Sequence, residues 1–121
     1  MDMSEFEAFE SPMTPESIMA RAKVLAREHR MMRAGLVECR REAGLSQRDV
    51  AERMGVSQQA VSKFEHYDSD PKLSTVRRYA NAVGVMISHH IERDHGQAEI
   101  VANAVPAQGY LRAVAADHFV S

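Results

Sequence analysis

Residues 46–65 read SQRDVAERMGVSQQAVSKFE, and the pattern of these twenty residues is the most informative in the chain. It contains two short segments with apolar residues at helical spacing, and a serine that can cap a helix precedes each of them. Ser46 has Asp49 three residues later, which is the spacing of a capping box, and Ser57 opens the second segment. Gly55 stands between the segments, where a tight corner often needs a positive φ. The stretch therefore predicts two short helices that meet at a sharp angle.

Apolar residues predict which face each of these two helices buries. Val50, Ala51 and Met54 recur along the first segment, and Val61 and Phe64 recur along the second. Ala51 is small enough for the second helix to cross closely over it. The outward face of the second helix is then polar, and it consists of Gln58, Gln59, Ser62 and Lys63.

Two helices are predicted before this stretch. Thr14-Pro15 is typical of a helix start, since a hydroxyl cap precedes a proline whose missing N–H costs nothing at the first helical position. Gly35 is expected to kink or divide the chain that follows, because glycine costs about 1 kcal/mol relative to alanine inside a helix. The first helix then covers residues 15–33, and the second ends at Gly44.

After this stretch we expect one more helix and then β-structure. Ser74 is the predicted cap of a helix that ends at Gly84. From Val85 to Ile91 apolar residues alternate with other residues and β-branched residues are frequent, which favours a strand. A turn can then lead to a second strand within residues 98–102. A helix over 86–93 is the alternative to the first strand.

Length and charge limit the possible domain organisation and the possible partners. The 121 residues allow one domain, in which 15–84 form the helical part and 85–102 a hairpin that is a candidate dimerisation element. Residues 1–14 are expected to be a disordered acidic segment and residues 103–121 a tail. The total charge is −2, but residues 15–93 carry 14 Lys and Arg against 10 Asp and Glu. Because attraction to a polyanion depends on local charge, the total excludes no nucleic-acid partner.

From Leu36 to Val85 the chain closely resembles the Xre/Cro–CI family of helix-turn-helix DNA-binding domains. The matching positions are Leu36, Arg40, Gly44-Leu45-Ser46-Gln47, Val50-Ala51, Gly55-Val56-Ser57, Val61-Ser62, Glu65, Pro71, Leu73 and Ala82-Val83-Gly84-Val85. The resemblance implies a mainly α, five-helix, lambda repressor-like fold, to which the predicted C-terminal strand or hairpin is added. It also implies that a homodimer binds double-stranded DNA, with the start of the second short helix in the major groove.

The resemblance assigns roles to the polar residues of this helix pair. Gln58 and Gln59 are the expected base readers, because an amide that donates and accepts can bind adenine N6 and N7 together. Ser62 and Lys63 are expected to reach flanking bases or phosphate. The residues expected at backbone phosphates are Gln47, Ser57 and Tyr67, of which Ser57 serves equally well as a helix cap.

Two further features follow from the resemblance. Arg40 and Glu65 are expected to pair with each other, so that both are structural rather than DNA-binding residues. Family members usually place a glycine soon after this glutamate, whereas here the run is His66-Tyr67-Asp68-Ser69. The conformation of this loop therefore stays open, and Tyr67 either contacts the DNA backbone or packs.

Other classes of function have little support. The single cysteine, Cys39, excludes an internal disulfide and a Cys-rich zinc site, and it is typical of the cytoplasm. His89, His90 and His95 have no Cys, Asp or Glu at zinc spacing, so we expect no metal site. No phosphate loop, nucleophile elbow or recognisable carboxylate pair is present, and we expect neither an enzyme nor a cofactor. No apolar stretch approaches the ~20 residues of a membrane span.

The predicted function is transcriptional repression by a homodimer on a palindromic operator. The order of a basic helix, a helix-turn-helix and a hairpin also looks like HigA-type antitoxins, which neutralise a partner toxin and repress their own operon. In that alternative, the acidic aromatic segment Glu5–Glu10 can fold on a basic toxin surface, although a solubilising tail is the simpler interpretation.

Overall fold

The computed structural model describes residues 11–104, which contain five helices and no strand. The helices are α1 (Pro15–Glu42), α2 (Gln47–Met54), α3 (Gln58–Glu65), α4 (Leu73–Val83) and α5 (Gln97–Ala104). The chain divides into two compact units, one formed by residues 30–89 and the other, as far as it is described, by 11–29 and 90–104. None of these five helices is both long and apolar enough to cross a membrane. The acidic segment up to residue 10 and the tail from residue 105 lie outside the described residues.

Local capping bonds set the bounds of α2 and α3. The hydroxyl of Ser46 accepts from the N–H of Asp49 at 3.0 Å, and the Asp49 carboxylate accepts from the Ser46 N–H at 2.8 Å. This is the predicted capping box. The hydroxyl of Ser57 accepts from the N–H of Ala60 at 3.1 Å, and Gly55 ends α2 with a φ of 71°. The two short helices and their corner are therefore confirmed.

The core of the unit formed by residues 30–89 lies where these helices meet α1 and α4. Val50, Val61 and Tyr79 are at most 1% exposed, and the ring of Phe64 stacks on that of Tyr79 with centroids 4.4 Å apart. The other buried members are Leu36, Ala51, Val76, Ala80 and Val83. Of the five residues predicted to face inward in α2 and α3, four are buried and Met54 is partly buried.

The predicted division at Gly35 is wrong, because α1 runs unbroken through it for 28 residues. The neighbouring side chains of Arg33, Leu36 and Val37 are all buried. Helices in proteins are stabilised mainly by such packing, which offsets a glycine cost of about 1 kcal/mol. Thr14 does cap the start of α1, since its hydroxyl accepts from the N–H of Ser17 at 3.1 Å.

The predicted C-terminal β-structure is also wrong. Residues 85–94 form neither the strand nor the alternative helix, and residues 98–102 lie inside α5. A strand needs a partner for its backbone hydrogen bonds, and the described residues supply none. The chain enters α5 instead through Asp94, whose Oδ1 accepts from the N–H groups of Gly96 at 2.9 Å and Ala98 at 3.3 Å.

The cap predicted for α4 is displaced. Ser74 is the second residue of the helix, and Lys72 is the N-cap without a side-chain bond. The helix is positioned by its buried residues, Val76 and Tyr79 among them, so packing outweighs the hydroxyl signal. Gly84 ends α4 as predicted, with a φ of 88°.

Two glycine substitutions are expected to change stability in opposite directions. Gly55→Ala places a side chain at a φ of 71°, which should lower the free energy of unfolding by about 1–2 kcal/mol. Gly35→Ala is the control, since Gly35 is helical and a Cβ there meets nothing within 4 Å. This change should raise the free energy of unfolding by about 1 kcal/mol. Urea denaturation of both variants checks this, and a shift of the same sign in both would contradict it.

Candidate functional site

The polar face of α3 is open to solvent. Gln58, Gln59, Ser62 and Lys63 are all exposed along it. Val61 and Phe64 on the other side of the helix are 1% and 5% exposed, so packing on the core orients the polar face outward. The structure thus brings the two predicted base readers, and the two residues predicted to reach flanking bases or phosphate, onto one accessible surface.

Gln47 joins this surface from the start of α2. An open groove of about 350 Å³ is lined by Gln47, Gln58, Gln59 and Ser62. The Nε2 atom of Gln47 donates to Oε1 of Glu65 at 3.1 Å, which fixes the orientation of the amide. Since this nitrogen carries two hydrogens, one donor and the amide oxygen are left to bind a ligand.

The other residues predicted at phosphates differ in their surroundings. The Ser57 hydroxyl oxygen caps α3, and its hydrogen can still be donated to a ligand. Tyr67 is 72% exposed, and its ring lies against that of His66 with centroids 4.6 Å apart. The structure thus shows Tyr67 packed on the neighbouring His66 ring, and its contact with the DNA backbone stays a prediction.

Glu65 connects the four helices α1, α2, α3 and α4. Arg40 donates to it from α1, with Nε 2.7 Å from Oε2 and Nη2 3.0 Å from Oε1. The Tyr79 hydroxyl donates from α4 to Oε2 at 2.7 Å, and Gln47 donates from α2. The charged side chains of Arg40 and Glu65 are only 10% and 7% exposed. Glu65, predicted only to pair with Arg40, thus also holds the side chain of Gln47, a predicted DNA-binding residue.

Hydrogen bonds keep this buried carboxyl ionised. Burial alone raises the pKa of Glu65, but the bonds from Arg40, Tyr79 and Gln47 outweigh it and hold the pKa below its usual value. Burial and the neighbouring carboxylate raise the pKa of the Tyr79 hydroxyl. The network is therefore a carboxylate that accepts four hydrogen bonds from three side chains, and a proton on Glu65 would disturb it.

Acid is expected to weaken the network. Because the folded chain lowers the pKa of Glu65, this residue stabilises the fold fully above its usual pKa of 4.5 and loses that contribution as pH falls through the lowered value. The melting temperature of the wild type should therefore drop more steeply below about pH 4.5 than that of Glu65→Gln, which takes up no proton there. Thermal melts between about pH 3 and pH 7 check this. Other carboxyls are common to both proteins and cancel, so parallel curves would contradict the role of Glu65.

Arg33 is a buried residue beside the candidate site whose contacts the sequence does not predict. It is 4% exposed in α1, and it donates from Nη1 to the Ser69 carbonyl at 3.1 Å and from Nη2 to the Tyr67 carbonyl. Burial, and then the charge of Arg30, lower the pKa of its guanidinium. The sequence indicates a role for Arg33 only indirectly, because the loop lacks the glycine that the family usually has.

A second open groove follows the end of α3 and has a volume of about 550 Å³. It is lined by Gln59, Ser62, Lys63, His66, Asp68, Ser69 and Asp70. The Asp68 carboxylate contacts Nδ1 of the His66 ring. Lys63 is the cation that this groove shares with the polar face of α3.

Comparison with known proteins agrees with this geometry. The helix-turn-helix family model matches residues 36–88. Antitoxin HigA1 of Mycobacterium tuberculosis is 52% identical over 58 residues, which are 48% of this chain and 39% of that protein. The chain therefore spans about two fifths of the length of this relative.

Two further relatives are named as regulators. An uncharacterized HTH-type transcriptional regulator of Methanothermobacter thermautotrophicus is 39% identical over 61 residues, which are 50% of this chain and 84% of that protein. The SPbeta prophage-derived uncharacterized HTH-type transcriptional regulator YonR of Bacillus subtilis is 29% identical over 65 residues, 54% of this chain and 60% of that protein. No solved structure matches the chain.

Proposed function

Because the chain belongs to the helix-turn-helix family of the Xre/Cro–CI type, we propose that it is a transcriptional repressor that binds a specific double-stranded DNA sequence as a homodimer. The observation that supports this most is the exposed polar face of α3 beside Gln47. A helix is about 10–12 Å across with its side chains, and the major groove is about 12 Å wide, so α3 can enter it. The names of the regulators from Methanothermobacter and Bacillus agree with this role.

Sequence preference comes from the two amides at the start of α3. Gln58 and Gln59 are exposed and can each bind an adenine edge, whereas Ser62 and Lys63 lie one turn further along the same face. In this proposal Gln47, whose amide donates to Glu65, binds a backbone phosphate together with the N-terminus of α2. Phosphate contacts of this kind set the register, and the amides then read bases.

Two copies of α3 are needed for a specific operator. One eight-residue helix offers few base contacts, and this family places two recognition helices roughly 34–36 Å apart on a palindrome. Residues 85–91 are our first candidate for the dimer surface, because Met86 and Ile91 are 97% and 95% exposed. The second candidate is the part of α1 over residues 15–33, in which Leu25 is 64% exposed. The lone Cys39 fits a cytoplasmic location.

Lys63→Ala is expected to weaken binding to all DNA sequences by a similar factor. If Lys63 neutralises a phosphate, its loss should reduce the slope of log affinity against log salt by about one per half-site. Lys23→Ala, which removes an exposed lysine from the other compact unit, should leave the slope unchanged. Gel-shift titrations at several salt concentrations check this. An unchanged slope for Lys63→Ala would show that it contacts no phosphate.

Footprinting on the promoter region of the chain's own gene tests the proposed function. We expect two protected half-sites about one helical turn apart, with no protection of a random duplex of equal length at the same concentration. Equal protection of both duplexes would contradict sequence-specific repression.

A second candidate function is that of a HigA-type antitoxin. The 52% identity to antitoxin HigA1 over 58 residues supports this candidate, and these residues are 39% of that protein. A toxin partner would require a neighbouring reading frame that encodes a small basic protein. Copurification of that product with this chain would support the antitoxin, and two separate peaks in size-exclusion chromatography would contradict it.

A further inference from the structure

The buried side chain of Arg33 binds the loop formed by residues 66–70. Both terminal nitrogens of the guanidinium bind carbonyl oxygens of the loop, those of Tyr67 and Ser69. The Ser69 hydroxyl donates to the carbonyl of Phe64 at 2.7 Å, which ties the loop to the end of α3. The loop therefore has a defined conformation without the glycine that the family usually places there.

These bonds determine which way the backbone donors of the loop point. In a trans peptide the C=O of one residue and the N–H of the next are antiparallel. Since the carbonyls of Tyr67 and Ser69 turn inward to the buried Arg33, the N–H groups of Asp68 and Asp70 turn outward. Neither N–H has a hydrogen-bond partner in the described part of the chain, and both residues are exposed.

The two outward N–H groups belong to residues that line the groove at the end of α3, together with Lys63. Backbone N–H groups and a nearby cation are groups that bind phosphate in proteins. The Asp68 carboxylate contacts Nδ1 of the His66 ring and keeps its negative charge. The carboxylates of Asp68 and Asp70 both line this groove and oppose an anion, so binding of a phosphate there depends on the two N–H groups and Lys63.

We propose that Arg33 is a positioning residue for a DNA-phosphate site made by the Asp68 and Asp70 N–H groups. This inference rests on the proposed function, since it supplies the backbone contact that flanks the base-reading face of α3. Arg33 touches no DNA itself. It fixes the orientation of the two peptide groups, so the loop does not need the glycine that the family usually places there.

Ethylation interference on the footprinted operator tests this proposal. With the wild type, we expect one phosphate per half-site whose ethylation blocks binding through these N–H groups. Arg33→Met should abolish interference at that phosphate alone and weaken operator binding by at least about tenfold. The slope against salt should stay unchanged, because the lost donors are neutral. Lys63→Ala is the matched control, since it should reduce that slope.

Arg33→Lys is a second variant in case Arg33→Met fails to fold, since it keeps the buried charge. Lysine lacks the planar fork that spans two carbonyls, so it cannot hold both peptide groups. We expect it to lose the same interference with a smaller drop in affinity. Thermal melts identify the folded variants. Wild-type interference in either folded variant would overturn the proposal, as would a salt slope reduced as in Lys63→Ala. If the wild type itself protects no specific site, the proposed function fails and this inference fails with it.

Discussion

Replacing Arg40 with alanine is expected to lower the free energy of unfolding by about 3–5 kcal/mol, because it leaves the Glu65 carboxylate buried without its counter-charge. Arg40 makes two bonds to Glu65, and its Nη1 donates to the Leu45 carbonyl at 2.8 Å. A small domain has a total stability of about 5–15 kcal/mol, so the variant should be close to unfolding at room temperature. Urea denaturation followed by circular dichroism measures the loss.

The adjacent arginine provides a matched control for this prediction. Arg41 lies 4.0 Å from Glu38, but both side chains are more than half exposed. Exposed pairs of this kind contribute about 0–1 kcal/mol, so Arg41→Ala should unfold almost as the wild type does. If the two variants lose equal stability, the four-helix network at Glu65 does not stabilise the fold. Where Arg40→Ala remains folded, its sequence preference on DNA should be unchanged.

Replacing Gln58 or Gln59 with alanine is expected to abolish most of the preference for the cognate operator. A bidentate amide–adenine pair contributes about 1–3 kcal/mol of discrimination, and a homodimer makes each pair twice. The affinity of each protomer for its half-site should therefore fall about 5- to 150-fold. Affinity for random DNA should stay nearly unchanged, because it comes from phosphate contacts.

The control for this prediction is Asn81→Ala, which removes an exposed amide from α4 without touching α3. It should bind operator and random DNA as the wild type does. Gel-shift titrations of each variant on both duplexes give the two affinities. Equal losses on operator and random DNA would show that the glutamines contribute to general affinity and do not read bases.

The features that the sequence predicts well are those set by neighbouring residues. The capping box of Ser46, the cap of Ser57 and the left-handed Gly55 depend on bonds that span three or four residues. They are visible as serine, acid and glycine at fixed spacing. The resemblance to the Xre/Cro–CI family extended this local pattern to the core and to the polar face of α3.

The predictions that are wrong depend on distant parts of the chain. Gly35 disfavours a helix locally, but burial of the side chains around it decides the outcome. The alternation from Val85 to Ile91 fits a strand, yet a strand forms only with a partner, and no periodicity within one segment reveals whether a partner exists. Arg33 escaped notice for the same reason, since the carbonyls that it binds lie 34 and 36 residues later.

Selection from a library of random duplexes tests whether the polar face of α3 reads DNA sequence, with the wild type and the Gln58→Ala, Gln59→Ala double variant run in parallel. We expect the wild type to enrich one palindromic motif with adenines in each half-site, and the double variant to enrich no motif although it still binds DNA. If the wild type enriches no motif, or if both proteins enrich the same one, the polar face of α3 does not read DNA sequence.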